Sequence, residues 1–141
     1  MLNVWGKIKE LINRPYILES GSNSNGYYIK WSNGDLICRR STTNDSYKNT
    51  NSSSTTVQNL KVYRSNVFTW TYPIAFATIP NISVTVSTGL NGSRFCLGRV
   101  NGNPSSSNVQ IQLLGLEDFT ENELGYTNLI KTDLIAIGKW K

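Results

Sequence analysis

The feature that most constrains this chain is the run GYYIKWSNGDLICRR, residues 26–40, in which two β-rich segments meet at Asn33-Gly34. A two-residue Asn-Gly connection is the strongest short-range hairpin signal, because a type I′ turn needs positive φ at both central positions. Such a turn sets a register by arithmetic. Ser32 faces Asp35, Trp31 faces Leu36, Lys30 faces Ile37, Ile29 faces Cys38 and Tyr28 faces Arg39. The expectation is a core face of Ile29, Trp31, Leu36 and Cys38, and a mixed face of Tyr28, Lys30, Ile37 and Arg39 with a cross-strand Tyr28–Arg39 contact.

The rest of the chain repeats this pattern of strands and polar turns. LKVYRSNVFTWTY alternates through Phe68, Trp70 and Tyr72, with a turn or bulge near Ser65-Asn66. PIAFATIP, residues 73–80, is closed by prolines and links two strands. NISVTVSTG puts Ile82, Val84 and Val86 on one side, NVQIQLLG does the same with Val109, Ile111 and Leu113, SRFCLGRV lies between them, and TDLIAIGKWK is a last strand. Residues 41–59, 101–107 and 115–132 read as polar or irregular loops. Asn, Ser, Thr and Gly are abundant and charged residues make up only 16% of the 141, which suits strands and turns better than a helical bundle. The expected fold is all-β, an antiparallel sandwich of about six or seven strands forming one domain.

Only MLNVWGKIKELIN, residues 1–13, has a helical period. Val4, Ile8 and Leu11 form a stripe flanked by Trp5 and Ile12, with Lys7, Lys9 and Glu10 off it, and Pro15 stops the helix. So short a helix is not stable alone, and its stripe must pack on the chain's own sandwich, on a membrane surface or on copies of itself. Residues 1–18 are therefore read as an N-terminal helix, 19–26 (ESGSNSNG) as a flexible joint and 27–141 as the sandwich. Lys7, Lys9 and Glu10 interrupt any signal-peptide core, and no apolar run is long enough to span a bilayer as a helix.

Three observations bear on chemistry. The chain has no histidine, which removes the commonest general base and metal ligand, so no metal or cofactor is expected. Cys38 and Cys96 lack zinc or CxxC spacing and read as small buried side chains, with a disulfide between them as the alternative; without a signal peptide, reduced thiols are expected. Of the nine carboxylates, Asp35 lies in a turn, and Glu117, Asp118, Glu121 and Glu123 cluster in one segment that reads as solvated surface rather than as the opposed pair a glycosidase needs. An enzyme is not expected. The net charge of +5 is spread along the chain apart from the adjoining Arg39 and Arg40, which speaks first for solubility and only second for a polyanion partner. The predicted register separates Trp31 from Lys30, so a basic-aromatic stacking platform for nucleic acid is not expected either.

Three segments together resemble a known family. GYYIKWSNGDLICRR resembles the Gly-aromatic-x-Lys-aromatic opening, with its Asn/Asp-Gly turn and Ile-Cys, of the C-terminal domains of phage tail fibres and related tail proteins. FTWTYPIAFATIPNISVTVSTG resembles their aromatic-Pro-x-x-Phe run followed by an alternating strand, and IAIGKWK resembles their Ile-Gly-Arg/Lys-Trp finish. The motifs stand in the family's order across residues 26–141. These domains are similar to the H-type lectin sandwich. The resemblance implies a homotrimer at a fibre tip in a virion assembled in the host cytoplasm, in contact with other tail proteins and touching bacterial surface glycans, with no nucleic acid and no membrane insertion. Val4, Trp5, Ile8, Leu11 and Ile12 would then form the trimer neck.

Counting strand directions places the Asn33-Gly34 turn, the 73–81 link, the 101–108 loop and Trp140 at the end away from the helix. The candidate ligand contacts are accordingly Asn33, Asp35, Asn101, Asn103 and Trp140. The alternative set is Tyr47, Asn91 and Arg94 at the helix end. Trp140 also reads as a side chain that closes the core.

Overall fold

The computed structural model describes residues 3–43, 53–57, 60–88, 96–116 and 130–141. The Asn33-Gly34 hairpin forms, joining β2 (Gly26–Trp31) to β3 (Asp35–Thr43), but one residue away from the predicted register. Tyr27 faces Arg39, Tyr28 faces Cys38, Ile29 faces Ile37 and Lys30 faces Leu36. The reason lies in the turn. The Trp31 carbonyl accepts from the Gly34 amide at 3.0 Å, and Gly34 takes a positive φ of 91°. This is the three-residue hairpin loop, a turn followed by a left-handed residue, in place of the two-residue loop. Because side chains alternate, a slip of one residue exchanges faces. Tyr28 and Lys30 therefore share the inner face with the fully buried Leu36 and Cys38, while Ile29 and Trp31 are only half-buried and stand outside the core. The predicted Tyr28–Arg39 pair is replaced by Tyr27 opposite Arg39.

A second difference lies upstream. Residues 19–26, read as a joint, instead belong mostly to β1 (Ile17–Asn23), which pairs antiparallel with β2 from Ile17 opposite Trp31 to Asn23 opposite Gly26. The polar run reads as a linker because it lacks an apolar alternation. It is an edge strand, where polar side chains are tolerated. The helix forms as predicted: α1 (Val4–Ile12) is capped by Asn3, whose side chain accepts from the Gly6 amide at 2.9 Å.

The remaining strands are β4 (Ser53–Val57), β5 (Leu60–Arg64), β6 (Phe68–Thr71), β7 (Asn81–Thr88), β8 (Cys96–Val100), β9 (Asn108–Gly115) and β10 (Ile130–Lys139). One sheet runs β1-β2-β3-β10-β7; the other runs β4-β5-β9-β6, with β8 along the opposite side of β9; every pairing is antiparallel. The all-β sandwich is thus present, with more strands than expected because β1 and β4 are added and the run 60–72 is divided into β5 and β6; residues 41–43 and 130–132, read as loop, lengthen β3 and β10.

β5 and β6 both pair with β9, and the bulge predicted at Ser65-Asn66 separates them. Ser65 donates its amide to the Leu113 carbonyl at 3.0 Å and accepts the Leu113 amide on its hydroxyl at 2.9 Å. The side-chain amide of Gln112 donates to the Ser65 carbonyl at 2.9 Å, so the bulge keeps its polar groups satisfied although Ser65 is buried.

The core lies between Leu36, Cys38, Leu134 and Ala136 of the first sheet and Trp70, Val109, Ile111 and Leu113 of the second. Ile82, Val84 and Val86 pack against it as their alternation predicts. Trp70, Tyr72 and Phe76 form a chain of edge-to-face contacts, with centroids 5.0 and 5.1 Å apart. Gly98 of β8 lies against β7, where any Cβ would collide with Val84.

Leu134→Ala removes a fully buried side chain and is expected to lower the unfolding free energy by about 2–5 kcal/mol, read as a reduced urea midpoint, whereas Ile79→Ala at an exposed site shifts it by less than about 0.5 kcal/mol. The buried Tyr72 hydroxyl has no hydrogen-bond partner among the described residues. Tyr72→Phe is therefore expected to be neutral or to stabilise by up to about 1 kcal/mol in the same assay.

Candidate functional site

The added strand β1 changes which end of the first sheet adjoins the helix. Because β1 runs back along β2, residue 16 arrives beside the hairpin turn: the Ser32 amide donates to the Tyr16 carbonyl at 2.9 Å, and the Tyr16 amide donates to the Ser32 hydroxyl at 3.1 Å. Asn33, Asp35 and Trp140 therefore lie at the end where the chain leaves α1, not away from it as strand counting predicted.

At this end the C-terminal residues wrap the turn. The Trp140 amide donates to the Gly34 carbonyl at 3.0 Å, its indole N–H to the Trp31 carbonyl at 3.1 Å, and Lys141 Nζ to the Ser32 carbonyl at 3.2 Å. Asp35 accepts from Lys139 Nζ at 2.5 Å and from Asn33 Nδ2 at 2.7 Å, while Asn33 Oδ1 accepts the Asp35 amide at 3.1 Å. Lys30 and Lys141 sit over the Trp140 ring, 5.4 and 4.8 Å from its centroid. Trp140 is half-buried and packs on the core, so its main visible role is closure, and its ring already carries two cations.

Asn101 and Asn103 do not join that group through any hydrogen bond among the described residues. The Asn101 side chain accepts from Arg99 at 3.3 Å and donates to Gln110 Oε1 at 3.4 Å, in a polar row on the second sheet that Gln112 extends by accepting from Arg99 at 2.6 Å. Asn103 is exposed. The 72–80 link connects the two regions: the Phe76 amide donates to the Ser106 carbonyl and the Ala77 amide to the Lys139 carbonyl. Tyr47, Asn91 and Arg94 lie outside the described residues.

On the inner face beside Trp140, the register slip brings a lysine to the rim of the core. Lys30 Nζ pairs with Glu19 at 2.8 Å, and the Tyr28 hydroxyl donates to the same carboxylate at 2.6 Å. Gly21 makes room, since a Cβ there would lie 2.9 Å from the Tyr28 hydroxyl. The bonds from Lys30 and Tyr28 hold the Glu19 carboxyl below its ordinary range, those from Lys139 and Asn33 do the same for Asp35, and donation to Glu19 raises the Tyr28 phenol.

The described carboxylates are all ion-paired: Glu10 with Arg14, Glu19 with Lys30, Asp35 with Lys139 and Asp133 with Arg39. Both cysteines are free thiols, and burial pushes each up to about 11, which leaves them poor nucleophiles at neutral pH. No group of three metal-ligating side chains occurs among the described residues.

At the opposite end of the first sheet the structure shows a cleft that strand patterning did not single out. It is an open cavity of about 770 Å³ between the turn joining β1 to β2 and the last residues of β3, with Arg39 and Arg40 in its walls. The adjoining arginines were the one visible signal in the sequence; that the β1–β2 turn meets them was not. No protein-family model, no curated protein and no solved structure matches this chain.

Glu19 and Asp35 set an acid-side dependence. Both are lowered by folding, so their contribution is complete above the ordinary carboxylate range and is lost as pH falls through the lowered values. Thermal melts are expected to show wild type losing stability below about pH 4, and Glu19→Gln with Asp35→Asn flattening that decline.

Proposed function

We propose that this protein is the receptor-binding tip of a phage or phage-like tail fibre, a homotrimer that recognises bacterial surface saccharide without catalysis or a cofactor. The observation that carries the reading is the state of α1. None of its residues is buried, and Trp5, Ile12, Leu11, Val4 and Ile8 are 75, 70, 63, 57 and 37% exposed. Of the three partners open to its stripe, the chain's own sandwich does not cover it among the described residues. Copies of itself are the partner that fits, since a nine-residue amphipathic helix with apolar residues at a 4-then-3 spacing has the pattern of a short coiled coil.

Further support comes from the three motifs shared with tail-fibre C-terminal domains and from the two-sheet sandwich on which they fall. The non-enzymatic part rests on the paired state of the described carboxylates and on a sequence without histidine. In this reading the neck adjoins the Asn33–Trp140 end, which makes the cleft end of the first sheet the one turned toward the host.

A second reading is a structural knob that trimerises and caps a fibre with no ligand of its own. It is favoured by the mutual engagement of Asn33, Asp35 and Trp140, whose polar groups are occupied by one another and by Lys139, Gly34 and Trp31.

Light scattering is expected to give a trimer, and Trp5→Asp with Leu11→Asp a monomer with an unchanged β-type circular dichroism spectrum; a monomeric wild type would remove the neck. Labelled protein is expected to bind host cells and to lose binding after periodate treatment. Unchanged binding would argue against a glycan, and no binding at all would favour the cap.

A further inference from the structure

The inner and outer faces of the first sheet alternate along β3, so Arg39 and Arg40 leave the strand on opposite sides. Arg40 lies on the inner side with its guanidinium 5.0 Å from the Phe68 ring centroid. Arg39 lies on the outer side, 3.4 Å from Asp133, in a pair whose members are 60 and 38% exposed and which therefore holds the guanidinium only weakly. β3 continues to Thr43, whereas β2 begins at Gly26, hard against the β3 backbone. Gly26 takes φ 130°, and any Cβ there would collide with the Arg39 carbonyl oxygen. The β1–β2 turn is held in place from below: Trp70 donates its indole N–H to the Asn25 carbonyl at 2.9 Å, and Asn23 donates to the Pro73 carbonyl at 2.9 Å. The step between that fixed turn and the longer β3 is the cleft.

Its lining has a consistent chemistry. Among the described residues it is lined by Arg39 and Arg40 and by no carboxylate, by Ser22, Ser24 and Ser41, and by Tyr27, which is 44% exposed. Its volume falls within the range of roughly 300–1,000 Å³ usual for small-ligand sites. Among the described residues one aromatic lines it, which offers no ladder for successive nucleobases. Hydroxyls beside one exposed ring suit a sugar, whose hydroxyls hydrogen-bond while its apolar face stacks. The half-exposed Arg39 guanidinium, on the same outer side as Tyr27, suits a carboxylate or phosphate, which it binds by charge-assisted, often bidentate hydrogen bonds.

We propose that this cleft takes an acidic saccharide, its carboxylate or phosphate held by Arg39 and one ring against Tyr27, which faces Arg39 across the β2–β3 pair. The proposal rests on the reading of the protein as a saccharide-binding tip and names the class of saccharide and its seat.

The test is calorimetric binding of the full chain, in about 0.15 M salt, to three probes: polygalacturonate oligomers as a carboxylate source, poly(glycerol phosphate) as a phosphate source, and dextran as a neutral control. Wild type is expected to bind at least one anionic probe and not dextran, and which one it binds identifies the acidic group. Arg39→Gln is expected to weaken that binding by at least about tenfold, the scale of one lost charge-assisted hydrogen bond. Lys7→Gln makes the same change in net charge on α1 and is expected to leave it unaltered. Ser24→Trp, at an exposed turn position, fills the mouth of the cleft without removing packing and is expected to match the arginine variant, which keeps the test valid if that variant folds poorly. Equal losses in the arginine and lysine variants, no loss in the arginine and Ser24→Trp variants, or binding of dextran alone would overturn the proposal. Periodate-sensitive adhesion to host cells that persists in the arginine and Ser24→Trp variants would overturn the cleft while leaving the receptor reading standing. Cleft-dependent binding of an acidic probe without cell adhesion would do the reverse.

Discussion

The β2–β3 turn is the constraint on which the rest of the first sheet depends. With Gly34 taking up the positive φ, three residues instead of two make the connection, and every side chain of β2 changes sides relative to a two-residue loop. Tyr28 and Lys30 are turned toward the core, and Lys30 is tolerable there only because Glu19 arrives opposite it on β1 and the Trp140 ring lies beside it. An unpaired ammonium at that position would bear the cost of desolvation with no compensation. The turn, the edge strand and the C-terminal tryptophan therefore form one interdependent unit: β1 supplies the carboxylate, and Trp140 covers the lysine while bonding back to the turn that put it there.

The second sheet solves a different problem. A continuous strand from residue 60 to 71 would run straight, yet it must follow β9 while sending Trp70 beneath the β1–β2 turn. The bulge at Ser65 allows this, with its hydroxyl and carbonyl bonded by Leu113 and Gln112. The bend sets the aromatic chain Trp70–Tyr72–Phe76 across the core, and Trp70 in turn anchors Asn25. The position of the arginine-lined cleft is thus a consequence of packing on the far side of the sandwich rather than of local turn chemistry.

The functional picture follows from one extra strand. Had residues 19–26 been a joint, α1 would adjoin the start of β2, and the Asn33 turn would face outward. With residues 17–23 as an edge strand the entry is reversed, so the helix adjoins the end where Asn33 and Asp35 bond each other and Trp140 bonds the Gly34 and Trp31 carbonyls, while the opposite end carries the open cleft lined by Arg39, Arg40 and serines. In the proposed trimeric fibre tip, structural closure and ligand contact are divided between the two ends in that way.

Sequence alone determined the class of fold, the strand runs with a clear alternation, the core positions Val109, Ile111 and Leu113, the Ser65 bulge and the amphipathic α1, because each follows from a period or a turn residue within a few positions. Only the tertiary structure decided the hairpin register, since Asn-Gly permits both a two- and a three-residue loop, Leu36 and Cys38 face the core in either, and the difference lies in whether Tyr28 and Lys30 or Ile29 and Trp31 join them. It alone decided that the polar residues 19–23 lie in a strand, because an edge strand's hydrogen bonds come from its neighbour and leave no apolar pattern. And it alone placed Arg39 and Arg40 beside the β1–β2 turn, a meeting arranged by Trp70, some 30 residues further along the chain.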